Sequence, residues 1–132
     1  FIKEGLASDD TEIQSTSLQV VTRLGEKAKS LLPDLLSVMK KAGGDVYSID
    51  WRIPIDESWA ILGDVAIQGN LDPAALLGPA GLIQDRARDI LDRVGGRPGH
   101  VFNLGHGVLP ETPQESAREL AKFVHSTTRR RR

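Results

Sequence analysis

Apolar and polar positions follow two different periods along this chain, and the change of period divides it. Over residues 9–41 the apolar positions recur at helical spacing. Ile13, Val20, Val21 and Leu24 mark a first stretch, and Leu31, Leu32, Leu35, Leu36 and Met39 a second. Asp9 with Glu12 fits an N-cap followed by an acidic third residue, the reciprocal pairing that opens a helix. Gly25 suits its left-handed end. Pro33 has no N–H to donate and fits the first turn of the second helix. Lys40 and Lys41 suit the negative end of its dipole, and Gly43-Gly44 stops it. The expectation for residues 1–41 is a helical hairpin.

From Asp45 the pattern shortens. Asp45-Val46-Tyr47-Ser48-Ile49-Asp50, Val65-Ala66-Ile67-Gln68-Gly69-Asn70 and His100-Val101-Phe102-Asn103-Leu104-Gly105 are β-rich runs ending in polar residues or glycine. Helical patterns separate them. Asp56 fits a cap for residues 57–62, and Asp72 with Pro73 opens a short helix. Residues 81–94 carry Leu82, Ile83, Ala87, Ile90, Leu91 and Val94 on one side. Thr112, Pro113 and Glu115 form a capping-box pattern before a helix reaching His125. Gly95-Gly96-Arg97-Pro98-Gly99 reads as a helix stop and turn, since it lacks the context of a phosphate-binding loop. Strands alternating with helices at this spacing predict βα units on a parallel sheet.

Composition narrows the class. The chain has 132 residues, 39% hydrophobic and 27% charged, in the range of a soluble globular protein but well short of the roughly 250 residues of a closed (β/α)8 barrel. It opens on Phe1 rather than methionine, as an internal or truncated piece would. Net charge is −1 although residues 129–132 are all arginine, so the body is acidic and nucleic-acid binding is not favoured. The tail, residues 127–132, reads as a solvated end. Without cysteine there is no disulfide, thiol nucleophile or thiolate metal site. No apolar run reaches membrane-spanning length, and nothing resembles a signal peptide, so a cytoplasmic location is expected.

In parallel βα folds, ligands meet the carboxyl ends of the strands. Those ends are Asp50-Trp51-Arg52, Gly69-Asn70-Leu71-Asp72-Pro73 and Asn103-Leu104-Gly105-His106-Gly107. His106 lies between glycines just past a strand, where an imidazole can donate, carry charge or move a proton; a loop histidine bonded to a carbonyl fits equally. Asp50 fits a pocket carboxylate or a cap for the following turn, and Trp51 a pocket wall or ordinary packing. His100 and His125 read as structural or solvent-facing. Three histidines this far apart make no metal motif, and no metal or other cofactor is expected.

Ser48-Ile49-Asp50-Trp51-Arg52-Ile53-Pro54, Gln68-Gly69-Asn70-Leu71-Asp72-Pro73 and Phe102-Asn103-Leu104-Gly105-His106-Gly107-Val108-Leu109-Pro110 resemble the uroporphyrinogen decarboxylase family in order and spacing, with Ala42-Gly43-Gly44-Asp45-Val46 upstream. The resemblance implies that residues 42–126 are the C-terminal portion of a (β/α)8 TIM barrel, an α/β fold with about three parallel strands here. It implies a homodimeric enzyme when complete, acting in heme and tetrapyrrole synthesis without a cofactor. Its reaction is decarboxylation of the acetate side chains of uroporphyrinogen, a porphyrinogen substrate, to coproporphyrinogen. His106 matches the family's histidine at the substrate, and Asp50, Trp51, Gly69, Asn70 and Gly105 are expected to line the substrate site. The family's carboxylate-binding arginines and pyrrole-facing aspartate belong to its N-terminal half, so the isolated chain is expected to be inactive. Residues 6–39 instead resemble a HEAT repeat, through Ser8-Asp9-Asp10-Thr11-Glu12-Ile13, Leu24-Gly25-Glu26-Lys27-Ala28 and Leu32-Pro33-Asp34-Leu35. Two other readings compete: a cobalamin- or thiol-linked methyltransferase of the same barrel superfamily, and a HEAT-type protein-interaction module.

Overall fold

A computed structural model describes residues 2–24 and 30–128. Three strands, β1 (Val46–Ser48), β2 (Ala66–Leu71) and β3 (His100–Leu104), form one parallel sheet in sequence order. Between them run α4 (Ile55–Leu62), a 3-10 turn (Pro73–Leu77) and α5 (Ala80–Val94), and α6 (Gln114–Thr128) follows β3. This is the expected three-strand βα portion of a barrel. Upstream lie α1 (Ile2–Leu6), α2 (Thr11–Leu24) and α3 (Leu32–Ala42). The expected helix-ending glycine at 25, the 24–28 turn and the arginine run at 129–132 fall wholly or partly outside the described residues.

The strand registers explain how the sheet is built. Tyr47 pairs with Ile67, and Ile67 with His100. Side chains at paired positions of parallel strands share a face, and on this face Tyr47 and Ile67 are buried. Leu62, Ile83, Ala87 and Leu76 from the helices complete a single core there. Each fully buried leucine or isoleucine contributes about 1.5–3 kcal/mol over an exposed one. The opposite face carries Val46, Ser48, Gln68, Val101 and Asn103, and Val46 and Val101 are about half exposed. Parallel sheets are ordinarily covered on both faces. This one is covered on the helical face only, among the described residues.

Helix ends follow the chain with three differences. Pro33 lies in the first turn of α3, and the Gly43 N–H closes its end on the Lys40 carbonyl. Asp72 Oδ1 accepts the Ala74 N–H at 2.9 Å, as its place before Pro73 predicts. The cap of α2 is Asp10 rather than Asp9, because helix starts at Thr11; Asp10 Oδ1 accepts the N–H groups of Glu12 and Ile13. Asp56 sits inside α4, which Pro54 precedes, and pairs with Arg93 at 3.3 Å. The capping box at Thr112 does not form, since its buried hydroxyl has no hydrogen-bond partner.

The upstream helices also hold a member beyond the expected pair. Short α1 packs against both α2 and α3. Leu6 and Leu31 are buried together there, apart from the main core, with Ile2, Leu35 and Val38 around them. Helix α3 serves both clusters, since its Leu36 enters the main core. Lys3 Nζ approaches Asp34 Oδ2 to 3.2 Å, too poorly aligned for a hydrogen bond and worth little at this exposure.

At the amino ends of the strands, Trp59 is buried and donates Nε1–H to the Val65 carbonyl at 2.8 Å. Arg97 stacks on that ring at 4.2 Å and donates to the Gly63 carbonyl, so the turn before β3 is pinned to the end of α4. His100 lies against Trp59 and Phe102, with Nε2 2.8 Å from the Gly69 carbonyl. Burial lowers its pKa from the ordinary 6.5, partly opposed by that hydrogen bond. The unfolded chain therefore takes up the proton first as pH falls. The contribution of neutral His100 to stability is complete above the unfolded value and is lost as pH drops through the lower folded one. Urea midpoints between about pH 7.5 and about pH 5 are expected to fall less steeply in His100→Gln than in the parent chain. Parallel slopes would refute this linkage.

Candidate functional site

Polar residues gather where the three strands end, and the ladder itself brings them there. The Ile49 N–H donates to the Gln68 carbonyl at 2.9 Å, and the Gly105 N–H to the Leu71 carbonyl at 2.8 Å. Both bonds extend the pairing past the strands, so the segments after β1 and β3 stay attached to β2. The turn after β1 closes on itself. Asp50 Oδ1 accepts the Arg52 N–H at 2.8 Å, Oδ2 accepts its guanidinium at 3.0 Å, and the Ile53 N–H reaches the Asp50 carbonyl. The turn-cap contacts expected of Asp50 are present. Arg52 also stacks over the Trp51 ring at 5.0 Å.

Asn70 crosses from β2 to this turn. Its amide donates to the carbonyls of Asp50 at 3.1 Å and Ile53 at 2.6 Å, and the residue is 5% exposed. A buried amide that lost both acceptors would destabilise the fold by about 1–3 kcal/mol. Two glycines allow the backbones to meet. Gly69 has φ +134, and a Cβ on it would lie 2.8 Å from the Ile49 carbonyl oxygen. A Cβ on Gly105 would lie 2.7 Å from the Cα of Trp51. Asp50, Trp51, Gly69, Asn70 and Gly105 thus converge at one end of the sheet. His106 is the next residue, exposed and without a hydrogen-bond partner among the described residues.

A cleft of about 560 Å³ opens beside this cluster, on the helical side. Trp51, Arg52, Asn70 and Asp72 border it from the strand ends, and Arg86 and Arg93 from α5. It borders two of the expected site residues, Trp51 and Asn70, but not His106. Of the α5 residues toward it, Arg86, Asp89 and Arg93 are not among those the sequence marks for the site, while Leu82 belongs to the predicted apolar side. Their signal is there in the three- and four-residue spacing of one helix side. Arg93 is held between Asp89 and Asp56, which raise its pKa, Asp89 most. Among the described residues, no group of three His, Asp or Glu side chains is placed to hold a metal ion, and no helix is long and apolar enough to cross a membrane.

Comparison with known proteins draws on the same segment. The family model described as Uroporphyrinogen decarboxylase (URO-D) matches residues 27–127. A uroporphyrinogen decarboxylase from Roseiflexus sp. (strain RS-1) is 53% identical over 95 residues, covering 71% of this chain and 27% of that protein. One from Chloroflexus aggregans (strain MD-66 / DSM 9485) is 48% identical over 120 residues, 86% of this chain and 34% of that protein. A third, from Koribacter versatilis (strain Ellin345), is 44% identical over 114 residues, 86% and 31% of the two. The chain spans about a quarter to a third of the length of these relatives.

The close approach at Gly69 predicts a sharp contrast between two alanine substitutions. Gly69→Ala places a Cβ at positive φ against a carbonyl and is expected to destabilise the chain by about 2 kcal/mol or more. Gly81→Ala, on open helix surface, is expected to stabilise by roughly 0.5–1 kcal/mol. Urea denaturation of both variants checks this, and equal midpoints would contradict the strand-end geometry.

Proposed function

Because the chain belongs to the uroporphyrinogen decarboxylase family, we propose that it supplies the last three strands of a barrel that decarboxylates the acetate side chains of uroporphyrinogen to give coproporphyrinogen. The supporting observation is the meeting of the 50–53, 69–72 and 103–106 segments at the carboxyl end of one parallel sheet, the end where such folds place their chemistry. In this reaction the bond between the side-chain methylene and its carboxylate breaks. The electron pair passes into a protonated pyrrole ring, a proton then converts the methylene to a methyl group, and the ring gives back the proton it had gained. Carbon dioxide leaves and one proton takes its place. An exposed imidazole at the rim can hold a substrate carboxylate when protonated or deliver that proton, and His106 is assigned this role. Asp50, Trp51, Gly69, Asn70 and Gly105 form the wall behind it.

By resemblance, the arginines that bind substrate carboxylates and the aspartate facing the pyrrole nitrogens lie in the family's N-terminal half. The 132 residues are therefore proposed to be inactive alone, and to act within a cytoplasmic homodimer when the barrel is complete. The uncovered sheet face, with Val46 and Val101 half exposed, supports this, since barrel interiors are packed cores. On this reading residues 1–41 are a HEAT-like appendage, 42–126 the barrel portion and 127–132 a basic tail. The separate Leu6–Leu31 cluster supports a distinct upstream part, and Leu36 of α3 in the main core ties that part to the barrel portion.

Joined to the upstream barrel segments of a family member, the chain is expected to restore coproporphyrinogen formation from uroporphyrinogen, measured by chromatography of the oxidised porphyrins. His106→Asn is expected to lower kcat by about 10²-fold or more, the usual scale for a positioned acid. Unchanged turnover in that variant would remove His106 from the reaction.

A further inference from the structure

Asn70 is the buried polar group that joins the turn after β1 to the end of β2. Its two acceptors, the Asp50 and Ile53 carbonyls, bracket Trp51 and Arg52. Fixing both ends of that turn fixes the Trp51 backbone between them. Gly105, in turn, sits so close to Trp51 that a Cβ has no room. Its N–H is already committed to the Leu71 carbonyl, on the strand that carries Asn70. The start of the His106 loop is therefore held from two sides, by β2 directly and by the Asn70-braced turn.

We propose that Asn70 is a positioning residue for His106, acting through the 50–53 turn and the Trp51–Gly105 contact. This rests on the decarboxylase reading only for its functional consequence; the mechanical coupling stands on the geometry alone. Other polar groups nearby do not serve as this link. Asp50 and Arg52 bond within the turn itself, and Asp72 is occupied in capping the 3-10 turn. Among the described residues, only Asn70 connects the turn by its side chain to the strand beside β3. A glutamine here would keep the donor on a stem longer by one methylene, so the amide nature of the residue and its reach can be separated.

The test is NMR of the full chain with labelled histidine and backbone amides. In the parent chain the amides of Ile53 and Gly105 are expected to exchange slowly and together. In Asn70→Ala, which removes both buried hydrogen bonds, the Ile53 amide is expected to exchange about tenfold or more faster. The ring resonances of His106 should move, while those of His125 on α6 stay in place. Gly105→Ala, which forces the same contact from the other side, should move the His106 resonances likewise. Asn70→Gln should fall between parent and Asn70→Ala. His106 resonances unchanged in a folded Asn70→Ala or Gly105→Ala would overturn the proposal. So would an Ile53 amide exchanging at loop rates in the parent, a result that needs no variant to fold. These readouts require no turnover, so failure of the decarboxylase assay and failure of the coupling are told apart. In the reconstituted barrel, Asn70→Ala is expected to lower kcat more than it changes KM, since the Asn70 amide is spent on the backbone carbonyls that hold the turn and its loss misplaces His106.

Discussion

Strand β2 is the only strand among the described residues with a partner on each side, and the rest of the molecule is arranged by that pairing. Its hydrogen bonds set the register of β1 through Val46, Tyr47 and Ser48, and of β3 through His100 to Leu104. Because side chains alternate with a period of two, that register decides which residues enter the core. Tyr47 and Ile67 are directed under the helices, and Val46, Gln68 and Val101 to the open face. The same ladder, continued by Ile49 and Gly105, carries the three polar strand ends to one place. Core and candidate site are thus two consequences of one set of backbone bonds.

The two ends of the sheet are stabilised by different chemistry. At the amino end, a guanidinium and an imidazole pack against the Trp59 indole, and Trp59 and Arg97 also donate to backbone carbonyls. At the carboxyl end, the fastening is almost wholly backbone and amide, with Gly69 and Gly105 removing the side chains that would hold segments apart. His100 links the two ends, since its ring packs against Trp59 while its Nε2 meets the Gly69 carbonyl. A rigid frame of this kind leaves the following loop residue, His106, exposed while its starting point is fixed. A group that must meet a substrate needs both properties.

The uncovered sheet face ties structure to function. A half-exposed Val46 and Val101 on a parallel sheet are what remains when the further strands of a barrel are not alongside. The relatives are three to four times as long as the stretch they share with this chain. The proposed chemistry therefore belongs to a completed barrel, to which these residues are proposed to contribute one wall and an imidazole.

From the chain alone, the change from helical to alternating period determined the α/β class, the three strands and most helix bounds, because hydrophobic periodicity is a local property. Asp72 before Pro73 was legible as a cap for the same reason. Asp9 and Asp10 could not be told apart as caps, and Thr112 looked like a capping box, because a cap depends on where the first turn begins and local composition leaves that open by a residue. The motifs around Asp50, Asn70 and His106 identified the family and marked a candidate site. Only the tertiary structure decided what Asp50 and Asn70 bond to there. Asp50 closes its own turn, Asn70 binds carbonyls 17 and 20 positions away in the chain, and the cleft takes Arg86 and Arg93 from α5. Such contacts join residues distant in sequence through the pairing of separate strands, and no spacing along the chain encodes them.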